Sequence, residues 1–163
     1  MEQNVEAPSQ SELSQAAGLL QEILGQIARG IGVEAEIQVR EEEGTLVGEF
    51  VGEDLGLLIG HHGQTIDSIQ HLAYRIVFRR IQRPLKLLVD AAGYRERRAV
   101  ALKATADQAA ETAVHDGRPV ALEAMSALER RVVHEHLKGR HDVETYSEGQ
   151  EPDRRLVVAP VVS

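Results

Sequence analysis

Apolar residues between Leu13 and Ile27 recur at helical spacing, with Leu13, Ala16, Ala17, Leu20, Ile23, Leu24 and Ile27 sharing one face. Ser9 and Glu12 have the spacing of a capping box, and Gly30 and Gly32 are natural stops. A helix is therefore predicted behind a frayed tail over 1–8. The period then changes to two: Val33, Ala35, Ile37 and Val39 alternate with Glu34, Glu36 and Gln38, which predicts a strand. Beyond the turn "EEEGT", "LVGEFV" reads as its hairpin partner. "EDLGLLIG" suits a short helix with Asp54 near its start and Gly60 at its end. A longer helix runs from about Gln64 towards Arg80, burying Ile66, Ile69, Ala73, Ile76 and Val77; Pro84 stops it, and "LKLLVD" reads as a third strand.

"AAGYRERR" marks a boundary. An alanine-rich helix is predicted from Tyr94 to about His115, then a strand at "RPVALE", a helix at "MSALERRVVHEHLKG", and strands at "DVETYS" and "RRLVVA" joined by a polar turn. On the second of these helices Met125, Leu128 and Val132 fall together, with Val133 and Leu137 extending the buried arc. The expected fold is α+β, in two small modules. The first has the order α-β-β-α-α-β; the second is a three-stranded sheet with helices.

A length of 163 residues is compatible with two small cores. With 42% hydrophobic and 27% charged residues, the chain contains no apolar run near the roughly 20 residues of a membrane span. The opening residues lack the basic segment and apolar core of a secretory signal, so a cytoplasmic location is expected. The absence of cysteine excludes disulfides, thiolate zinc sites and cysteine nucleophiles. Aromatics are confined to Phe50, Tyr74, Phe78, Tyr94 and Tyr146, too few for a broad base-stacking platform.

The net charge of -8 argues against a nucleic-acid partner until its distribution is considered. Residues 1–56 carry 2 basic and 12 acidic groups, residues 57–103 carry 9 and 3, and residues 104–163 carry 7 and 11. The middle of the chain is a basic island, although a solvated surface would show such fluctuations too.

Within that island lies "LLIGHHGQTI". A tight glycine turn between two helices lets a phosphate approach the backbone, and the free amides of the second helix carry partial positive charge. The same glycines would also serve simply to end one helix and begin the next. His71, Arg75 and Arg79 follow at intervals of four, forming a ridge that either extends a phosphate track or is a solvated face. In the second module Arg130, His134 and Lys138 make a similar stripe with Arg131 beside it, with the same two readings.

The element order and "IGHHGQTIDSIQHLAYRIV" resemble the KH domain in its bacterial, type II arrangement, whose GXXG loop clamps a short single strand. The resemblance implies that Gly60, His61, His62 and Gly63 form the RNA-binding loop, with His71, Arg75 and Arg79 as flanking contacts. KH loops usually carry a lysine or arginine between the glycines; here both positions are histidine. Loop binding is therefore expected to be weak and to tighten as pH falls. The spacing of Arg130 and His134 resembles the RxxxH motif of a module associated with single-stranded nucleic acid. "GYRERR", "RPVALEAMSALERRVVHEHL" and "YSEGQEPDRR" closely resemble the C-terminal half of the bacterial Jag family, also called KhpB or SpoIIIJ-associated.

The resemblance divides the chain into a lead over 1–12, a KH domain over 13–91 and an RxxxH domain over 94–160. It implies a nucleic-acid surface of Arg130, Arg131, His134, Lys138, Arg154 and Arg155, with Arg130 favoured as a phosphate contact and His134 equally suited to binding or bracing. It further implies single-stranded RNA as ligand, a small KH-only protein as partner, and a post-transcriptional regulator or RNA chaperone linked to cell elongation or envelope control. The additional N-terminal domain of many family members is not expected in this chain. No cofactor or metal is expected: His134 and His136 stand about 200° apart on a helix, and no HExxH pattern, Walker loop or nucleophile elbow occurs. A protein-interaction adaptor with weak RNA affinity and a single-stranded DNA binder are the rival readings.

Overall fold

The computed structural model of the chain describes residues 7–161; residues 1–6 of the expected lead lie outside them. Two units emerge, one up to Arg95 and one from Glu96. No helix among the described residues is long and apolar enough to cross a membrane.

In the first unit, helix α1 (Gln10–Ile31) starts at a reciprocal capping box. The Glu12 amide donates to Ser9 Oγ at 3.3 Å and the Ser9 amide to the Glu12 carboxylate at 2.7 Å, which holds the Glu12 carboxyl below the ordinary carboxylate range. The helix passes through Gly30 and ends at Gly32, whose φ of 82° is the left-handed cap. Strand β1 (Glu36–Glu42) starts and ends about three residues later than the alternation predicts. It continues through Glu41 and Glu42 because the two-residue turn Glu43–Gly44, with φ of 48° and 75°, pairs them with the start of β2 (Thr45–Val51). Charged side chains do not prevent pairing on a strand face exposed to water.

Helix α2 (Gly56–Ile59), helix α3 (Gln64–Ile81) and strand β3 (Lys86–Ala91) complete the unit. The sheet order is β1-β2-β3, antiparallel then parallel. One face of α1 supplies Leu20 and Leu24, α3 supplies Ile66, Ala73 and Val77, and the sheet supplies Phe50 and Val89 to a shared core. Each large apolar side chain fully buried there contributes about 1.5–3 kcal/mol. Ile76, expected inside, is 39% exposed, and Ile81 takes the last core position. This is the type II KH order expected from the sequence.

Helix α4 (Tyr94–Asp116) begins in the first unit with Tyr94 and Arg95; the second unit comprises the rest of it, strand β4 (Val120–Ala124), helix α5 (Ala127–Leu137), strand β5 (Val143–Glu148) and strand β6 (Arg155–Pro160), with an antiparallel sheet ordered β4-β6-β5. Ala106, Ala110 and Ala113 of α4 are completely buried with Val133, Leu137 and Val158. The buried stripe of α5 differs from the predicted arc. Leu128 is 65% exposed, while Arg130, Val133 and Leu137 face inward at a spacing of three and four.

Candidate nucleic-acid interface

The loop Gly60–Gly63 joins α2 to α3 through a single 3-10 turn. Its shape is imposed by backbone constraints. Gly60 has φ 73° and ψ −175°, and a Cβ there would overlap Thr65 Oγ1 and lie 2.7 Å from Thr65 Cβ. Gly63 has φ 78°, and a Cβ there would sit 2.7 Å from Tyr94 Cε1. Between them His62 is also left-handed at φ 51°, ψ 30°. The two imidazoles stack with centroids 3.9 Å apart, His61 exposed and His62 half-buried. Helix α3 thus begins at Gly63 with no side-chain cap, leaving the loop at the positive end of an 18-residue helix. That arrangement suits an anion.

Behind the loop, the chain leaving β3 is more than the boundary read from the sequence. Arg95 Nη1 donates to Asp67 Oδ1 at 2.7 Å, Nη2 to Gln70 Oε1 at 3.0 Å and Nε to the Val89 carbonyl at 2.9 Å, tying α3 to β3. Tyr94 packs on the core of the first unit and meets Gly63. Thr65, Tyr94 and Arg95 escape sequence reasoning because their importance arises from contacts, although "GYRERR" belongs to the characteristic family stretches.

His71, Arg75 and Arg79 all stand on the solvent face of α3. Helical rise places them about 12, 18 and 24 Å along the axis from Gly63, so the ridge leads away from the loop. Arg75 and Arg79 flank the stacked pair Tyr74–Phe78, whose centroids are 5.9 Å apart. Part of the basic island is internally neutralised. Arg95 pairs with Asp67, Arg98 with Glu129 at 2.6 Å, and Arg83 approaches Glu12 at 3.8 Å.

In the second unit, α5 is held at its start by a capping box between Ser126 and Glu129, with Arg98 on the Glu129 carboxylate. A shallow hollow opens between α5 and the β5–β6 hairpin, lined by Arg131, His134, Thr145, Tyr146, Ser147 and Arg154 among others. His134 is exposed, and its Nδ1 lies 2.6 Å from Thr145 Oγ1, which fixes the ring while leaving Nε2 for a ligand. Arg154 Nε is buried and has no hydrogen-bond partner among the described residues. A buried donor left in that state is costly.

Arg130 departs from its expected role. Its side chain lines the same hollow but is only 7% exposed, and its guanidinium donates to the Met125 carbonyl at 2.7 Å, the Arg154 carbonyl at 3.4 Å and the Glu151 carboxylate at 2.6 Å. The fork expected to clasp phosphate instead braces the hairpin, because the i+3 and i+7 companions of Arg130 are the core residues Val133 and Leu137. Lys138 and Arg155 are exposed but are not among the residues lining the hollow. Lys138 lies 3.8 Å from Glu135, and Arg155 pairs with Glu148 at 3.1 Å on the sheet face opposite Leu156. His134 and His136 diverge as the helical wheel requires, His136 meeting Asp107 at 2.9 Å.

A GXXG loop on a type II α/β unit, followed by a basic hollow between a helix and a hairpin, defines a chain with a KH domain and an RxxxH domain in tandem. The KhpA/KhpB KH domain family matches residues 18–89, and the RxxxH (R-three-H) domain family matches residues 100–160. The chain belongs to the Jag/KhpB family. It is 35% identical over 133 residues to the RNA-binding protein KhpB of Lactiplantibacillus plantarum, covering 82% of this chain and 41% of that protein. It is 34% identical to the RNA-binding protein KhpB of Clostridium symbiosum, covering 81% and 60%, and 31% identical to that of Bacillus subtilis, covering 82% and 65%. The matched region thus spans less than two thirds of each of these relatives.

Proposed function

We propose that this chain binds single-stranded RNA at two places, the GHHG loop of the KH unit and the Arg131–His134–Arg154 hollow of the RxxxH unit. The observation that carries the reading is the loop itself: glycine-shaped backbone and two histidines at the uncapped start of α3. The imidazoles and the positive end of α3 face phosphate, Arg131 and Arg154 supply charge at the hollow, and Arg130 supports the latter from behind. In this reading the protein acts after transcription, as a regulator or RNA chaperone without chemistry of its own, in elongation or envelope control and alongside a small KH-only protein. The compartment proposed for this work is the cytoplasm.

Crosslinking and sequencing of bound RNA in cells tests this, comparing the wild type with a loop variant and with Arg131→Ala, Arg154→Ala. Both variants are expected to recover less RNA. Equal yields and equal RNA populations from stably folded variants would remove the reading, and preferential recovery of single-stranded DNA would replace its ligand.

In vitro, Arg131→Ala, Arg154→Ala is expected to weaken binding about 10- to 100-fold, because two charge-assisted hydrogen bonds to the ligand disappear. The slope of log affinity against log salt should flatten by about 0.7 for each phosphate no longer neutralised. A protein adaptor docking through an apolar interface would show little slope to begin with.

A further inference from the structure

We infer that Tyr94 is a positioning residue for the GXXG loop: its ring is the floor against which Gly63 is set. The inference rests on the proposed role of the loop and concerns a residue outside it. Gly63 is buried although it lies in a surface loop, and the atoms nearest its missing Cβ are all from Tyr94: Cε1 at 2.7 Å, Oη at 3.2 Å and Cζ at 3.3 Å. A backbone held this close to an aromatic ring has little freedom to move inward. The ring is itself fixed from its two sides in sequence. Before it, Ala92 and Gly93 form a positive-φ turn, with the Ala92 amide donating to the Phe50 carbonyl at 3.0 Å. After it, the Arg95 amide donates to Asp90 Oδ1 at 3.2 Å, while the Arg95 guanidinium bonds to Asp67 and Gln70 of α3 and to the Val89 carbonyl.

These contacts give the first turn of α4 a role in the KH site. Gly63 carries the left-handed φ that starts α3, so the direction in which the positive end of that helix points depends on where Gly63 sits. A planar ring beneath it sets that position. A loop preorganised in this way loses less freedom on capturing phosphate, and removal of the ring should therefore appear in binding rather than only in stability.

The test uses the full chain and a labelled single-stranded RNA of randomised sequence, with affinity measured across a salt series. Tyr94→Leu keeps apolar bulk on the core but removes the flat ring; Tyr94→Phe keeps the ring. His61→Asp, His62→Asp is carried as the loop control, and thermal unfolding monitors each variant. Tyr94→Leu is expected to weaken binding several-fold and to flatten the salt slope towards that of the loop control, by about 0.7 for each phosphate no longer held. Tyr94→Phe should restore both. If the loop control weakens binding while Tyr94→Leu only lowers the melting temperature and keeps the wild-type slope, Tyr94 is a core residue and the inference is overturned. If the loop control also keeps the wild-type slope, the loop does not touch the RNA and the inference fails with it.

Discussion

His61→Asp, His62→Asp is expected to lower affinity for single-stranded RNA by about tenfold or more while the fold survives. His61 is exposed, and His62 occupies a left-handed conformation that aspartate tolerates, so neither substitution requires the backbone to move. Two carboxylates would then face the phosphate in place of two imidazoles. Equilibrium binding with a labelled RNA checks the effect, and the circular dichroism spectrum should remain that of the wild type. Substituting the glycines would test something different. Any side chain at Gly60 collides with Thr65, and any at Gly63 collides with Tyr94, at positive φ in both cases. Weakened binding in a Gly60→Asp protein would therefore mix electrostatic repulsion with a broken loop.

Arg130→Ala is expected to act mainly on stability, costing the second unit about 2–4 kcal/mol. The Met125 and Arg154 carbonyls lose their donor, and the Glu151 carboxylate loses its partner. Glu151 is 56% exposed on its side chain and can turn to water, which keeps the cost below that of a fully buried broken pair. Calorimetry should find a depressed transition, with only partial recovery in Arg130→Lys because an ammonium cannot span all three acceptors as a planar fork does. Binding by the fraction that remains folded should change less than in Arg154→Ala. A normal melting temperature with strongly reduced affinity would instead return Arg130 to the role of direct contact.

The contrast between Arg130 and the glycine loop shows what the residue pattern conveys. The loop is legible because glycine is required wherever backbone conformation and close approach demand it, and because aliphatic periodicity on either side marks the flanking helices. The element order follows from the same periodicities, to within the offset of β1. Helical spacing also places Arg130 and His134 one turn apart, but it does not say which edge of the stripe turns inward. Leu128 and Arg130 exchanged the environments expected for them once Val133 and Leu137 took the core. The contact of Tyr94 with Gly63, and that of His134 with Thr145, join residues far apart in sequence. No periodicity encodes such pairs.

The division between bracing and contacting residues is tested most directly by amide chemical-shift mapping, titrating the labelled protein with single-stranded RNA. Two clusters of shifted amides are predicted, one over Gly60–Ile66 and one over Arg131, His134, Thr145–Ser147 and Arg154, with the first abolished in His61→Asp, His62→Asp and the second in Arg131→Ala, Arg154→Ala. Shifts confined to the acidic face of β1, or spread without reference to either cluster, would contradict a two-site RNA-binding chain.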